Sequence, residues 1–232
     1  MARLAIVAAA VLLAGCGGDE EEMLPQGSEA VEIDPSRFNA EIDHPFWPMA
    51  PGTVWVYREG DQRVEVTVTD RTRTVMGVET RVVHDLVTEN GVPVEDTYDW
   101  YAQDDDGNLW YFGEDTTEFE DGEPIGHAGA WEAGVDGALP GIVLPAEPEV
   151  GMTYRQEYYA GEAEDRAKVL SLDESVSVPF GDFTGALRTE DTTPLEPEVV
   201  ERKFYVRDVG PVLAVQVQGE SGREELVSLS RP

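Results

Sequence analysis

From Thr53 to the C-terminus the chain reads in twos. Val54 and Val56 alternate with Trp55 and Tyr57, and Val64, Val66 and Val68 alternate with Glu65, Thr67 and Thr69. Successive side chains of an extended strand point to opposite faces, so this spacing predicts strands packed on one face and wet on the other. Gly77 interrupts the run, and residues 78–89 resume it. Asn90-Gly91 marks a hairpin, because both residues tolerate the positive φ of a two-residue reversal. Further strands are expected at 92–103, 152–159, 167–178, 183–192, 199–207, 212–218 and 224–229, punctuated by Gly151, Gly161, Gly181, Gly210 and Gly222. Only 162–168 carries a weak helical stripe. The pattern predicts an all-β fold, an antiparallel curved sheet or half-barrel.

The densest signal lies at 97–115. Two aromatic runs, Tyr98-Asp99-Trp100-Tyr101 and Leu109-Trp110-Tyr111-Phe112, flank Asp104-Asp105-Asp106-Gly107-Asn108. Aromatic residues suit a pleated, half-buried surface, and Asp-Gly-Asn suits a tight turn. A hairpin near the middle of the sheet is expected there. An internal repeat is also expected, giving two related meander units. Gly52-Thr53-Val54-Trp55 is echoed by Gly151-Met152-Thr153-Tyr154, and Trp100-Tyr101-Ala102-Gln103-Asp104 by Phe204-Tyr205-Val206-Arg207-Asp208. Residues 117–150 have no counterpart in the second half. That stretch is rich in Gly and Pro, with Trp131, Ile142, Val143 and Leu144 as apolar anchors, and long irregular segments tend to carry function or plug a core.

The N-terminus changes the picture. Arg3 precedes an unbroken apolar run of ten residues, 4–13, too short for a membrane span but suited to a signal-peptide core. Leu13-Ala14-Gly15-Cys16 follows and resembles the lipobox of bacterial lipoprotein precursors, with Cys16 the one cysteine of the chain. The resemblance implies removal of residues 1–15 and attachment of diacylglycerol to the Cys16 thiol. Two or three acyl chains on one residue make a stable anchor. Localisation is then expected at the cell membrane, on its extracytoplasmic side. Residues 16–43 lack periodicity and are rich in acidic, Gly and Pro residues, so they are expected to form an acidic flexible tether. Residues 44–232 are expected to form a single β domain. A lone cysteine excludes an internal disulfide, so stability must come from the core.

Charge excludes one class of partner. The chain carries 48 acidic and 16 basic residues, a net charge of −32, whereas nucleic acid is bound through clustered Lys and Arg. Acidic surfaces keep exported proteins dispersed.

Candidate chemistry is sparse. The three histidines, His44, His84 and His127, are scattered, and no G-x-S-x-G nucleophile turn occurs. No H-E-x-x-H or paired His/Cys spacing suggests zinc. Calcium prefers hard oxygen ligands, which Asp104, Asp106 and Asn108 offer on one short loop. Their spacing departs from an EF-hand, because Gly107 comes too early and no glutamate follows at the twelfth position. No cofactor is required by any motif. The aromatics Trp100, Trp110, Trp131, Tyr154 and Tyr158 are candidates to line a ligand pocket, against the commoner role of core packing.

Long motifs carry a second resemblance. Residues 51–57 (PGTVWVY), the DWYAQ and DGNLWYFGED runs, WEAGVDGALPGI, YRQEYYAGEAED and LEPEVVERKFY look like a family of uncharacterised exported bacterial β-rich proteins. The plan is also similar to that of envelope lipoprotein carriers, half-barrels that hold acyl chains. What these resemblances imply is a lipid-anchored, non-catalytic envelope lipoprotein binding an apolar or amphipathic small molecule or an envelope component. A calcium-stabilised structural or adhesion module is the alternative, and a hydrolase is third.

The anchor is directly testable. Cys16→Ser is expected to abolish incorporation of labelled palmitate and to release the protein or leave it unprocessed. Continued labelling of that variant would remove Cys16 from the mechanism.

Overall fold

The computed structural model describes residues 24–219 and 222–232; the expected signal peptide, residues 1–15, and Cys16 lie outside them. Sixteen strands make up one sheet. In the first half are β1 (Phe38–Asn39), β2 (Val54–Glu59), β3 (Gln62–Val75), β4 (Val78–Glu89), β5 (Val92–Asp104), β6 (Leu109–Glu120), β7 (Glu123–Gly126), β8 (Trp131–Glu132) and β9 (Leu139–Leu144). The second half holds β10 (Thr153–Arg155), β11 (Glu157–Tyr158), β12 (Arg166–Val178), β13 (Gly181–Thr192), β14 (Val200–Val206), β15 (Gly210–Gln218) and β16 (Arg223–Ser230). A single 3-10 turn, Pro35–Arg37, is the one helical element among the described residues. The weak stripe at 162–168 is instead a turn, closed by a bridge between Tyr159 and Ala163, running into β12.

Turn chemistry sets the hairpins. Asn90 and Gly91 adopt φ of 51° and 83°, as the sequence predicts, and Met76-Gly77 and Asp121-Gly122 repeat the geometry. Positive φ at both central residues matches the right-handed twist of the strands being joined. Met76 is costly in that conformation, so Gly77 carries the turn.

The sheet order runs β10-β12-β13-β14-β15-β16-β2-β3-β4-β5-β6-β9-β11. Its two ends, β10 and β11, are neighbours in the chain, separated only by Gln156. One short segment, 153–158, therefore pairs with β12 on one side and with β9 on the other. The curved sheet is thereby nearly closed into a barrel. The core includes Trp55, Val68, Phe112, Leu109, Ile142, Leu144, Leu187 and Leu226, all essentially without exposed surface.

Both halves repeat one hydrogen-bond pattern. Gly52 N donates to Val68 O and Val68 N to Thr53 O; Gly151 N donates to Val169 O and Val169 N to Met152 O. Each lies between 2.8 and 2.9 Å. The meander β2–β6 thus has its counterpart in β10 with β12–β15, as the repeat predicts.

Two expectations change. Residues 24–43, expected to be tether, instead form a strap along the barrel. Phe38 pairs with Asp104, Asp43 N donates to Gln103 Oε1, Arg155 N donates to Pro25 O, and Ala40 and Ile42 are buried. The strap runs across strands and pairs with them only briefly, so its apolar residues, Leu24, Val31, Ile33 and Phe38, show no period. Residues 117–150, expected to be irregular, supply the end of β6 and strands β7–β9, and β9 is the strand that meets the closing segment.

Closure depends on a missing side chain. A Cβ on Gly141 would lie 2.3 Å from Gln156 O. Gly141→Val is expected to cost about 3 kcal/mol or more, the upper range for overpacking. In a domain of this size that lowers the melting temperature by roughly 6–12 °C. Gly181→Ala, whose added Cβ would meet only a Phe183 ring carbon at 3.4 Å, is expected to leave the melt within about 2–4 °C of the native protein. Equal melts for the two variants would show that the seam tolerates a side chain.

Candidate functional site

Closing the sheet turns one face of every strand inward. The inner wall encloses a cavity of about 410 Å³. Its aromatic lining is Tyr57 from β2, Tyr101 from β5, Tyr111 from β6, Tyr205 from β14, and Trp47 from the strap. Trp47 lies 5.6 Å from the Tyr101 ring and 6.3 Å from the Tyr205 ring, and Tyr101 stacks on Tyr111 at 4.9 Å. The polar lining is Gln156 and the acids Asp85, Asp99, Glu114, Glu157, Asp165 and Glu224, with Lys203 the single cationic side chain.

One proton has too many acceptors. Tyr111 Oη lies 2.7 Å from Asp99 Oδ1 and 2.8 Å from Glu114 Oε2. A phenol has one O–H to donate, so both contacts are hydrogen bonds only when one carboxyl is protonated and donates back. Electrostatics agrees. Burial pushes Glu114 up to about 9, reinforced by Asp99, and Asp99 up to about 7 despite the bond from Tyr111. A carboxylate taken out of water without a cation holds a proton instead of a charge.

The same holds around the wall. Glu157 accepts from Trp131 Nε1 at 2.9 Å, yet burial and Asp165 push it up to about 8. Burial and Glu201 bring Glu224 to about 7, and Asp85 rises well above the carboxylate range through burial and the nearby Asp99. Lys203 bridges Asp191 at 3.1 Å and Glu201 at 3.2 Å. Burial works to lower Lys203, but these two carboxylates outweigh it and hold the ammonium charged.

The register relates the two halves. Val66 pairs with Asp85 and Ala167 with Asp191; Arg81 pairs with Tyr101 and Leu187 with Tyr205. Asp85 and Asp191 therefore occupy equivalent positions, as do Tyr101 and Tyr205. Two residues before each tyrosine stand Asp99 in one half and Lys203 in the other. Asp191 receives its cation from the neighbouring strand, whereas Asp85 faces another acid; the Oδ1 of each is buried without a hydrogen-bond partner.

None of the aromatics expected to line a pocket does so. Trp100 packs under the Arg73 guanidinium, 4.0 Å above its ring, and Trp110 Nε1 donates to Asp104 Oδ2 at 2.7 Å. Tyr154 is buried in the core, with its hydroxyl 3.4 Å from Val143 O. Tyr158 is half-buried on β11, and Trp131 stands behind the wall, edge-on to Tyr111 at 5.4 Å. The residues next to Trp100 and Trp110, Tyr101 and Tyr111, point inward instead. Alternation placed the members of each pair on opposite faces but did not say which face was inside.

The loop expected to offer calcium ligands is held together by its own bonds. Asp104 accepts from Asn108 N and Nδ2, at 2.8 and 2.9 Å, and from Trp110. Asp106 pairs with Arg37, and Asn108 Oδ1 accepts from Ala146 N. Asp104, Asp106 and Asn108 do not converge on a common centre. Among the described residues no three His, Cys, Asp or Glu side chains are grouped to hold a metal.

The signal that the sequence held for the cavity was the repeat itself, since aligned Asp99-x-Tyr101 and Lys203-x-Tyr205 exchange an acid for a base at one inward position.

The protonated wall fixes a pH dependence. A carboxyl whose folded pKa lies above its unfolded value stabilises most at low pH and loses that contribution as pH rises toward the folded value. Each such group changes stability by about 1.4 kcal/mol per pH unit between the two values. The fold is expected to weaken from about pH 5 to about pH 9, and Glu114→Gln to flatten that slope by about 1.4 kcal/mol per unit. Urea melts across this range measure it; identical slopes in native protein and variant would show that Glu114 is ionised in the fold.

No protein-family model matches the chain, and no curated protein does. Two solved structures are similar in fold. One is a protein inferred to be exported, with a YmcC-like fold, from Bacteroides fragilis NCTC 9343. It is 13% identical, with a TM-score of 0.48, over 80% of this chain and 99% of that one. The other is a protein inferred to be a lipoprotein from Parabacteroides distasonis ATCC 8503, 13% identical, with a TM-score of 0.45, over 80% of this chain and 98% of its own.

Proposed function

We propose that the chain is an exported, lipid-anchored, non-catalytic envelope protein whose barrel interior holds an amphipathic small molecule. The observation that carries the reading is the cavity wall. Aromatic faces from several strands meet polar groups that the fold leaves without partners, and a ligand site combines apolar area with a few such groups. Trp47 Nε1 and Asp85 Oδ1 are of this kind. The expected lipid on Cys16 would keep the barrel at the membrane surface, where amphipathic molecules concentrate.

Native mass spectrometry of the full mature chain, purified in detergent from its own host, tests this. The native protein is expected to retain a non-covalent mass that is lost in Ala214→Trp, which fills the cavity from β15 without adding charge. Circular dichroism confirms that the variant is folded. A bare native protein, or an adduct kept equally by the variant, would overturn the reading.

A further inference from the structure

We propose that the molecule held in the cavity is a small organic amine, bound through its ammonium groups by the carboxyls of the inner wall. This rests on the binding reading above and adds the chemical class.

Charge balance comes first. Asp85, Asp99, Glu114, Glu157, Asp165 and Glu224 line the cavity and none forms an ion pair among the described residues. The single lining cation, Lys203, is already bonded to Asp191 and Glu201. An anionic ligand would meet these carboxyls with one occupied ammonium to receive it. A neutral ligand would leave them as they are. A cation supplies what each lacks.

Two lining atoms are buried without a hydrogen-bond partner, the acceptor Asp85 Oδ1 and the donor Trp47 Nε1, and the carboxylate oxygen is the one that a cation answers. An ammonium group carries several N–H donors and accepts from none, which suits an acceptor-rich wall.

The spread of the acids selects an organic cation over a metal ion. They come from five separate strands, β4, β5, β6, β11 and β16, and from the loop before β12. No three of them are grouped for one ion, so a cation with its charges spaced along a chain fits the wall better. Tyr57, Tyr101, Tyr111, Tyr205 and Trp47 offer ring faces that attract such groups and pack its methylenes.

A proton must leave for each ammonium that docks on a protonated carboxyl. The groups facing this event are the six wall acids, Lys203, and behind them Glu95, Asp191 and Glu201. Binding one amine charge with release of one proton tightens affinity about tenfold per pH unit below the carboxyl's own value.

Calorimetry on the full mature chain in non-ionic detergent tests the class, with spermidine as the probe. The neutral diol and the dicarboxylate of matching length serve as controls, and calcium chloride as the metal control. Spermidine is expected to bind at least about tenfold more tightly than either control, to weaken about tenfold from pH 8 to pH 7, and to release protons in proportion. Asp85→Asn and Glu114→Gln, which preserve shape, are expected to weaken it at least about tenfold. Tyr101→Phe checks the hydroxyl with no change of charge. Binding of the diol as tight as that of spermidine, or calcium binding that spermidine does not displace, would overturn the amine class. If the native protein retains a mass from its host while spermidine fails, the inference falls and the binding reading stands. A bare native protein that binds none of the probes would sink both.

Discussion

A carboxylate inside a nearly closed barrel is costly to keep as a bare charge. Moving it from water into a low-dielectric interior costs several kcal/mol even after relaxation, so the group takes a proton, finds a cation, or opens the fold. Six wall acids share this constraint, and only the Asp191–Glu201 side of the cavity has a cation of its own. The shared hydrogen bonds of Tyr111, the raised Glu114 and Glu157, and the unpartnered Asp85 Oδ1 are all consequences of it. The net charge of −32 thus has two parts of different character. Most acidic residues face solvent, where they aid dispersion, while a few face inward, where their charge depends on what else is inside.

What makes the inside an inside is the seam. Segment 153–158 must pair on both edges within a few residues, and the chain passes so close to β9 that only glycine fits at position 141. Arg155 lies within this segment and is almost wholly buried. Its guanidinium donates to Pro140 O at 2.9 Å, to Glu29 O at 2.9 Å, and to Gly27 O. One side chain therefore bonds to the β9 edge and to the strap at once. Without closure the wall acids would be hydrated from the open edge and their shifts would relax. The strap, the seam and the raised acids are mechanically one feature.

The fold was legible because its causes are local. Alternation in 54–57 and 64–69, the Asn90-Gly91 turn and the aromatic hairpin each fix a short piece of backbone, and the pieces agree. Strands β3, β4, β5, β12 and β13 fall close to where the pattern put them. Closure was not legible, since it depends on Gly141 meeting Gln156, a contact between positions that no periodicity connects. The strap was misread for a related reason: polar composition suggests a tether, but Ala40, Ile42 and Phe38 find their partners only on an assembled barrel. The site was misread by one residue on each strand. The tryptophans drew attention by size, whereas the neighbouring Tyr101 and Tyr111 took the cavity face.

The repeat explains why the cavity is unbalanced. Equivalent strand positions hold Asp85 and Asp191, and diagonally across from them stand Asp99 and Lys203. Diagonal neighbours on adjacent strands lie close enough for long side chains to interact. In the second half the diagonal is an ion pair at 3.1 Å. In the first half the same geometry sets acid against acid, and the pair raises its own proton affinity. A change of residue type at one repeated position thus removes the diagonal cation from the first half. The half that folds around its own salt bridge supplies rigidity, and the half that lacks one supplies the unmet demand. Had both halves carried lysine, Asp85 would have the diagonal cation that Asp191 has.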